Sequence, residues 1–178
     1  MARQNKLKVI SIPEEFTHPF FFEEQSALQY EELPLGTQSL KTNLFIYDIF
    51  FFKNLPLAYL PWNEDKTLLY DIFDDWQKAS KEMAELFRKR DRKNAKKPMI
   101  EWIGLFIEVL YWCNNLPVPP LKNWRKEEID QLEIKPVNAV ERIEFLFQHP
   151  DYYHAYIQLN ELFLELRKKY YKAFLLKK

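Results

Sequence analysis

Two arrangements in this 178-residue sequence have the residue types and spacing for chemistry. Arg142 and His149 are seven residues apart, a separation that on a helix returns both side chains to one face, two turns apart. A neutral imidazole so placed can take a proton from a ribose hydroxyl, while a guanidinium steadies the charge that develops on the phosphoryl group. The second arrangement is electrostatic. RKRDRKNAKK, residues 88–97, carries seven basic residues against Asp91 alone, and the tail RKKYYKAFLLKK, residues 167–178, carries six basic residues and no acid. The chain as a whole is neutral, with 26 basic and 26 acidic residues, so removing the two runs leaves 13 basic against 25 acidic, a net charge of −12. Charge separated in this way can steer and hold a polyanion. The residues that would do so are Arg88, Lys89, Arg90, Arg92, Lys93, Lys96 and Lys97 in the first run, and Arg167, Lys168, Lys169 and Lys172 in the second. Tyr170 and Tyr171, set among these lysines, offer rings to bases or to a lipid interface. A plainer account competes: both runs fall at the expected C-terminal ends of helices, where positive side chains favour the helix dipole and keep the ends solvated.

Other chemistry is narrowed by composition. Gly36 and Gly104 are the only glycines, and 68 positions apart they cannot form the phosphate-cradling loop, the dinucleotide fingerprint or the nucleophile elbow, each of which needs two or three close together. The three histidines are His18, His149 and His154, with Cys113 the single cysteine. His149 and His154 are five apart and off a common helical face, which argues against tetrahedral zinc. Glu15 and His18 form one Glu-x-x-His where a helical di-iron site wants two. No metal or cofactor is therefore expected. A lone cysteine forms no internal disulfide and suits a reducing, cytoplasmic setting. Between Tyr111–Trp112 and a polar stretch, it reads as a buried thiol and not as a nucleophile. The basic start precedes an apolar stretch too short and interrupted for a signal peptide. The greasiest segment, MIEWIGLFIEVLYWC at 99–113, contains Glu101 and Glu108 and falls short of the ~20 residues a bilayer requires.

The elements that must position these groups are helices punctuated by prolines. Residues 1–35, holding Pro13, Pro19 and Pro34, read as an irregular arm with a short helix near EEQSALQYEE, pinned to the rest by Phe16 and Phe20–Phe22. Residues 36–178 read as one all-helical domain. LKTNLFIYDIFFFKN, 40–54, is apolar nearly all round and ends before Pro56, predicting a buried helix. Asn63 is placed to cap the next, whose stripe Leu69, Ile72, Phe73, Trp76, Ser80, Met83 and Phe87 recurs every three or four residues, with only Ser80 breaking its apolar character. The acids and lysines of its other face, Asp71 to Lys89, read as solvated. Pro98 suits the first turn of a central helix running to about Asn114, with Glu101, Gly104 and Glu108 along one line. KNLPLAYLPW and NNLPVPPLKNW look like one helix-ending loop used twice. A short helix near RKEEIDQLE follows, then one from a capping-box-like start at Asn138 and Glu141 to His149. The last carries Tyr152, Tyr156, Leu159, Phe163, Leu166, Tyr170 and Ala173, a stripe that serves an internal bundle or the seam of a homo-oligomer. The expected fold is an all-α single-domain bundle of five or six helices with almost no strand.

The pattern R-IEFLFQ-H is similar to the Arg-x4-6-His motif of the HEPN family, all-helical proteins that include ribonucleases; Ile143 stands where many such motifs carry a polar residue. That resemblance implies His149 as general base and Arg142 as stabiliser of the developing phosphorane charge. More broadly, SIPEEFTHPFFF, NNLPVPPL and KPVNAVERIEFLFQHPDYYHAYIQL resemble the YpoC-like family of low-GC Gram-positive bacteria, which implies a mainly helical fold and brings no catalytic residues with it. The reading these observations favour is a non-enzymatic helical interaction or adaptor protein whose partner, most simply another protein, the sequence does not name. An accessory nucleic-acid binder using the basic helix ends is the first alternative, a HEPN-like ribonuclease the second. A contiguous apolar groove would mark the adaptor, convergence of both basic runs on one face the polyanion binder.

Overall fold

Helix α4 (Arg92–Cys113) explains the architecture, because fourteen of its residues are buried and every other main element packs on it or on a neighbour of it. In the computed structural model, which describes residues 6–22, 25–63 and 65–177, the chain runs β1 (Lys8–Ser11), β2 (Ala27–Tyr30), α1 (Thr37–Lys41), α2 (Ile46–Phe52), α3 (Thr67–Arg88), α4, α5 (Ala139–Gln148) and α6 (Tyr153–Leu176). Short 3₁₀ turns lie at Glu14–Phe16 and Lys126–Gln131. The protein is mostly helical, as its sequence predicts, with a two-stranded hairpin added at its N-terminal end.

Helices α3, α4 and α6 form the centre. The α3 stripe turns Ile72, Phe73, Trp76, Met83 and Phe87 inward. The α6 stripe does the same with Tyr156, Leu159, Phe163, Leu166 and Tyr170, so its regular spacing serves the interior of this bundle. The middle layer is aromatic: the Trp76 ring stacks on Phe163 at 4.8 Å and meets Trp102 edge-on at 5.2 Å, and Phe106 meets Phe163 at 5.1 Å. Rings of this size bury 150–250 Å² each, and their edge contacts add about 0.5–1.5 kcal/mol per pair beyond burial. Trp76 keeps its polar edge satisfied by donating from Nε1 to Asn160 Oδ1 at 3.1 Å.

Several boundaries differ from expectation, each for a local reason. The arm is not helical over residues 25–32. Glu23 and Glu24 lie outside the described residues, and Ala27–Tyr30 is a strand paired antiparallel with Lys8–Ser11, Ile10 opposite Leu28. Both of those residues are buried while Val9 faces out, an alternation too brief to register as a period-two pattern. The arm is held by rings: Phe16 against Phe52 at 5.5 Å, Phe21 and Phe22 against Phe45 at 5.0 and 6.1 Å. The single helix expected over 40–54 is two, α1 and α2, broken at Phe45 in the left-handed region (φ 63°). Asn63 does not cap α3; Lys66 is the N-cap residue, and Asp65 Oδ1 accepts the Thr67 N–H at 3.0 Å. α4 begins six residues before Pro98, with Asp91 as its cap accepting the Asn94 N–H at 3.2 Å. Asn138 precedes α5 as expected, but in a left-handed conformation and without a side-chain cap.

The helix exits follow one rule. After α2, Asn54 is left-handed, its N–H bonds back to Phe51 O, and the Leu55 N–H bonds to Phe50 O. After α4, Asn115 and Leu116 repeat the pattern onto Trp112 O and Tyr111 O. These are Schellman closures with Asn at the left-handed position and Leu after it, each followed by proline; the twice-used Asn-Leu-Pro motif is therefore one structure. α3 closes in the same way, but with Arg90 left-handed (φ 58°), its N–H on Phe87 O and the Asp91 N–H on Leu86 O. A residue with a Cβ is strained in that conformation where glycine is not. Arg90→Gly is expected to raise the unfolding free energy by about 0.5–1 kcal/mol in urea titration, and an unchanged or lower midpoint would contradict the assignment.

Candidate interaction surfaces

The basic run 88–97 is not a helix end in the sense expected. Only Arg88 and Lys89 close α3, whereas Arg92, Lys93, Lys96 and Lys97 occupy the first two turns of α4, where the dipole is positive and cations are disfavoured. The seven basic groups also divide by contact. Arg88 Nε donates to Glu85 Oε2 at 2.8 Å, Lys89 lies 3.7 Å from the same carboxylate, and Arg92 pairs with Asp151 at 2.9 Å with its guanidinium over the Tyr152 ring at 4.6 Å. Arg90 is exposed at the turn. Lys93, Lys96 and Lys97 line a cavity of about 610 Å³ with Lys41 across from them, the side chains of Phe20, Phe21 and Phe22 along one wall, and Ile100 and Glu101 below. Among the described residues none of these three lysines makes an ion pair within 4 Å. Burial holds the Glu101 carboxyl above the usual range, opposed by the nearby Lys41 and Lys97.

The second run lies elsewhere. Arg167 NH2 reaches Asp74 at 2.8 Å with its guanidinium over the Tyr171 ring, and Lys169 donates to Lys135 O at 2.8 Å beside Glu165. Lys168 and Lys172 are exposed. Tyr170 is buried and Tyr171 stacks on Tyr70 at 5.5 Å, so these rings look inward. Lys97 and Cys113 bracket the distance: sixteen residues of α4, about 24 Å at 1.5 Å per residue, separate the lysine cavity from the level at which the tail packs. The two runs therefore do not converge.

At the tail's end of the bundle the surface is apolar. A cavity of about 850 Å³ is lined by Tyr59, Leu60, Trp62, Ile134, Tyr170 and Phe174, with Cys113 and Lys66 at its base. A smaller one of about 200 Å³ continues from it past Leu116 and Leu132, sharing Cys113, Asn115 and Ile134. Exposed apolar side chains line the two: Leu116 is 47% exposed and Phe174 41%. Phe51, also exposed, meets Trp62 edge-on at 5.4 Å. Lys66 is committed to structure, donating to Trp62 O, Trp112 O and Asn115 Oδ1 at 2.9, 3.3 and 2.8 Å, which caps the C-terminal end of α4. Burial pushes the Cys113 thiol well up, leaving it protonated and unreactive.

Arg142 and His149 part company in the structure. The Arg142 guanidinium is spent tying α5 to α6: Nε donates to Gln158 Oε1 at 2.9 Å, and NH1 donates to Glu165 Oε2 at 2.9 Å and Val137 O at 3.1 Å. The His149 ring ends α5 between Phe145 at 5.2 Å and Tyr152 at 4.5 Å. The cavity beside Arg142, about 340 Å³, is lined by His154 instead of His149.

Two carboxyls sealed in the core have raised protonation: Glu108, on the central helix's line of interruptions, and Asp48, within the apolar stretch 40–54. Asp48 and Glu108 are 1% and 0% exposed. Glu108 Oε1 accepts the Phe45 N–H at 2.8 Å, while Asp48 Oδ1 accepts Trp112 Nε1–H at 3.2 Å and the Val118 N–H at 2.6 Å. Among the described residues, the second oxygen of each carboxyl accepts no hydrogen bond. Burial pushes Asp48 up to about 7, and burial together with the neighbouring Asp48 carries Glu108 well above the usual carboxylate range. Neither lines any of the cavities above. The line Glu101, Gly104, Glu108 has a structural use: Gly104 makes room for Leu44, to whose Cδ1 an added methyl would come within 2.7 Å, and Glu108 holds the chain at the next residue.

With this geometry in hand, comparison with known proteins is informative about lineage. The family model described as YpoC-like protein matches residues 66–178, which spans α3 to α6. A protein of Bacillus subtilis (strain 168), described as uncharacterized protein YpoC, is 30% identical over 113 residues, covering 64% of this chain and 68% of that one. No solved structure matches the chain.

The buried carboxyls fix the sign of a pH dependence. Both have folded-state values above their unfolded ones, so the folded state binds more protons. Their contribution to stability is greatest below the ordinary carboxylate range and declines as pH rises through the raised values, with a slope of up to ~1.4 kcal/mol per pH unit for each group. Glu108→Gln keeps an acceptor for the Phe45 N–H and removes one ionisation. Urea titrations between pH ~5 and ~8 are expected to show a shallower decline and higher stability at the alkaline end. Glu108→Ala, which strands the Phe45 N–H and leaves a void, is expected to lose about 2–4 kcal/mol throughout.

Proposed function

We propose that this chain, which belongs to the YpoC-like family, is a non-enzymatic helical interaction protein that offers its apolar groove to an amphipathic helix of a protein partner. The observation that carries this reading is the groove at the C-terminal end of α4 and α6, continuous over two cavities and edged by exposed Leu116 and Phe174. Side chains of α6 and of the 58–62 loop form its walls, Asp65 and Lys177 its polar edge. That pattern, apolar walls with a charged rim, fits the face of a helix with anchors three and four residues apart. The non-enzymatic part draws support from where the ionisable groups sit: the two carboxyls with the most displaced protonation are sealed in the core, and the Arg142 guanidinium is engaged with α6. The lone, buried Cys113 suits a reducing, cytoplasmic setting, and no helix among the described residues is long and apolar enough to cross a membrane.

Phe174→Asp changes an exposed position of the groove wall and is expected to leave the melting temperature within about 2 °C of wild type. A partner recovered with the wild-type protein from its native host, then purified and titrated back, is expected to bind with a negative heat-capacity change and to lose at least ~10-fold in affinity against this variant. Equal binding to both proteins refutes the groove. Self-association through the same residues, read by sedimentation, would give the groove to a second copy and overturn the reading in favour of a homo-oligomer.

A further inference from the structure

We propose that the lysine-lined cleft between the N-terminal arm, the end of α1 and the start of α4 binds single-stranded nucleic acid, independently of the groove at the other end of α4. Four cations face this cavity, Lys41, Lys93, Lys96 and Lys97, against one described carboxylate, Glu101. Lys93, Lys96 and Lys97 stand at i, i+3 and i+4, so they are neighbours on one face. They also sit on the first turns of a helix, where like-charge repulsion and the macrodipole both act against them. Helix closure thus gives no reason for these lysines to be there. A phosphate backbone relieves both penalties at once, since it screens the lysines from one another and meets the positive end of α4.

The shape selects one strand over two. Phe20 and Phe21, half-buried and packed on each other at 5.0 Å, form an apolar wall facing the lysines, the arrangement in which a backbone lies along cations while bases rest on rings. A duplex needs a broad basic face. Here Arg88 and Lys89 are paired with Glu85, Arg92 with Asp151, and the other basic run is ~24 Å away along α4 and tied to Asp74 and Glu165. The footprint is therefore about four phosphates wide.

The test is fluorescence anisotropy with a labelled oligothymidylate of ~15 nucleotides. Four lysine contacts on a single strand predict a log–log salt slope of about −3, an affinity loss of about 50-fold between ~50 and ~200 mM salt. Lys93→Glu/Lys96→Glu/Lys97→Glu places acids on the first turns of α4, so it is expected to melt no lower than wild type, while its affinity falls at least ~10-fold and its slope flattens to about −1. Lys168→Glu/Lys172→Glu, at the opposite end, is expected to bind as wild type. The proposal is overturned by no anisotropy change at the lowest salt, by equal loss in the two variants, by a duplex of the same length binding as tightly, or by tighter binding to anionic phospholipid vesicles than to the oligonucleotide.

Discussion

A single hydrogen bond in the centre of the molecule, from the Phe45 N–H to the Glu108 carboxyl, governs how the first third of the chain meets the rest. Phe45 adopts a backbone conformation costly for a bulky residue, of the kind that persists only where its surroundings over-determine it. The surroundings do so here. Glu108 takes its N–H, Gly104 clears space for the preceding Leu44, and the Phe45 ring is enclosed by Phe21 and Phe22. Two residues into α2, Asp48 repeats the device, gripping both the Trp112 indole and the loop beyond α4 at Val118. The α1–α2 break is thus a consequence of what α4 offers, and it directs the arm and its phenylalanines toward the basic end of α4.

That arrangement makes α4 a ruler. Its first turns carry lysines toward a concave, aromatic-walled cleft, its middle is dry and aromatic, and its last turn ends on Lys66, beneath an apolar groove. The two ends differ in kind: lysines beside phenylalanines at one, and an apolar-walled groove edged by Asp65 and Lys177 at the other. The distance between the two surfaces is set by α4.

The elements with sustained periodicity were legible in the sequence, because the α3 and α6 stripes repeat often enough to outvote any single residue, and the two Asn-Leu-Pro exits named their own closure. The hairpin was not, since four-residue strands show a single alternation. The α1–α2 break was invisible because its cause, Glu108, lies 63 positions away in the chain. The start of α4 was misplaced by weighting Pro98 over Asp91 and Asn94, which do form the cap. That shift moved four basic residues from the favourable end of one helix to the unfavourable end of another. The basic and apolar surfaces themselves could not be read without the fold, because each draws its walls from segments far apart: Phe20 with Lys96, Trp62 with Phe174.

The edge-on contact between Trp76 and Trp102, with Phe163 stacked against the first, has an optical consequence. Two indoles fixed at short range in an asymmetric setting report on each other, giving a near-ultraviolet circular dichroism that depends on their mutual angle. Such a signal vanishes when side chains loosen, even where helical content survives. The junction of α3, α4 and α6 therefore contains its own gauge of native packing, needing no added label.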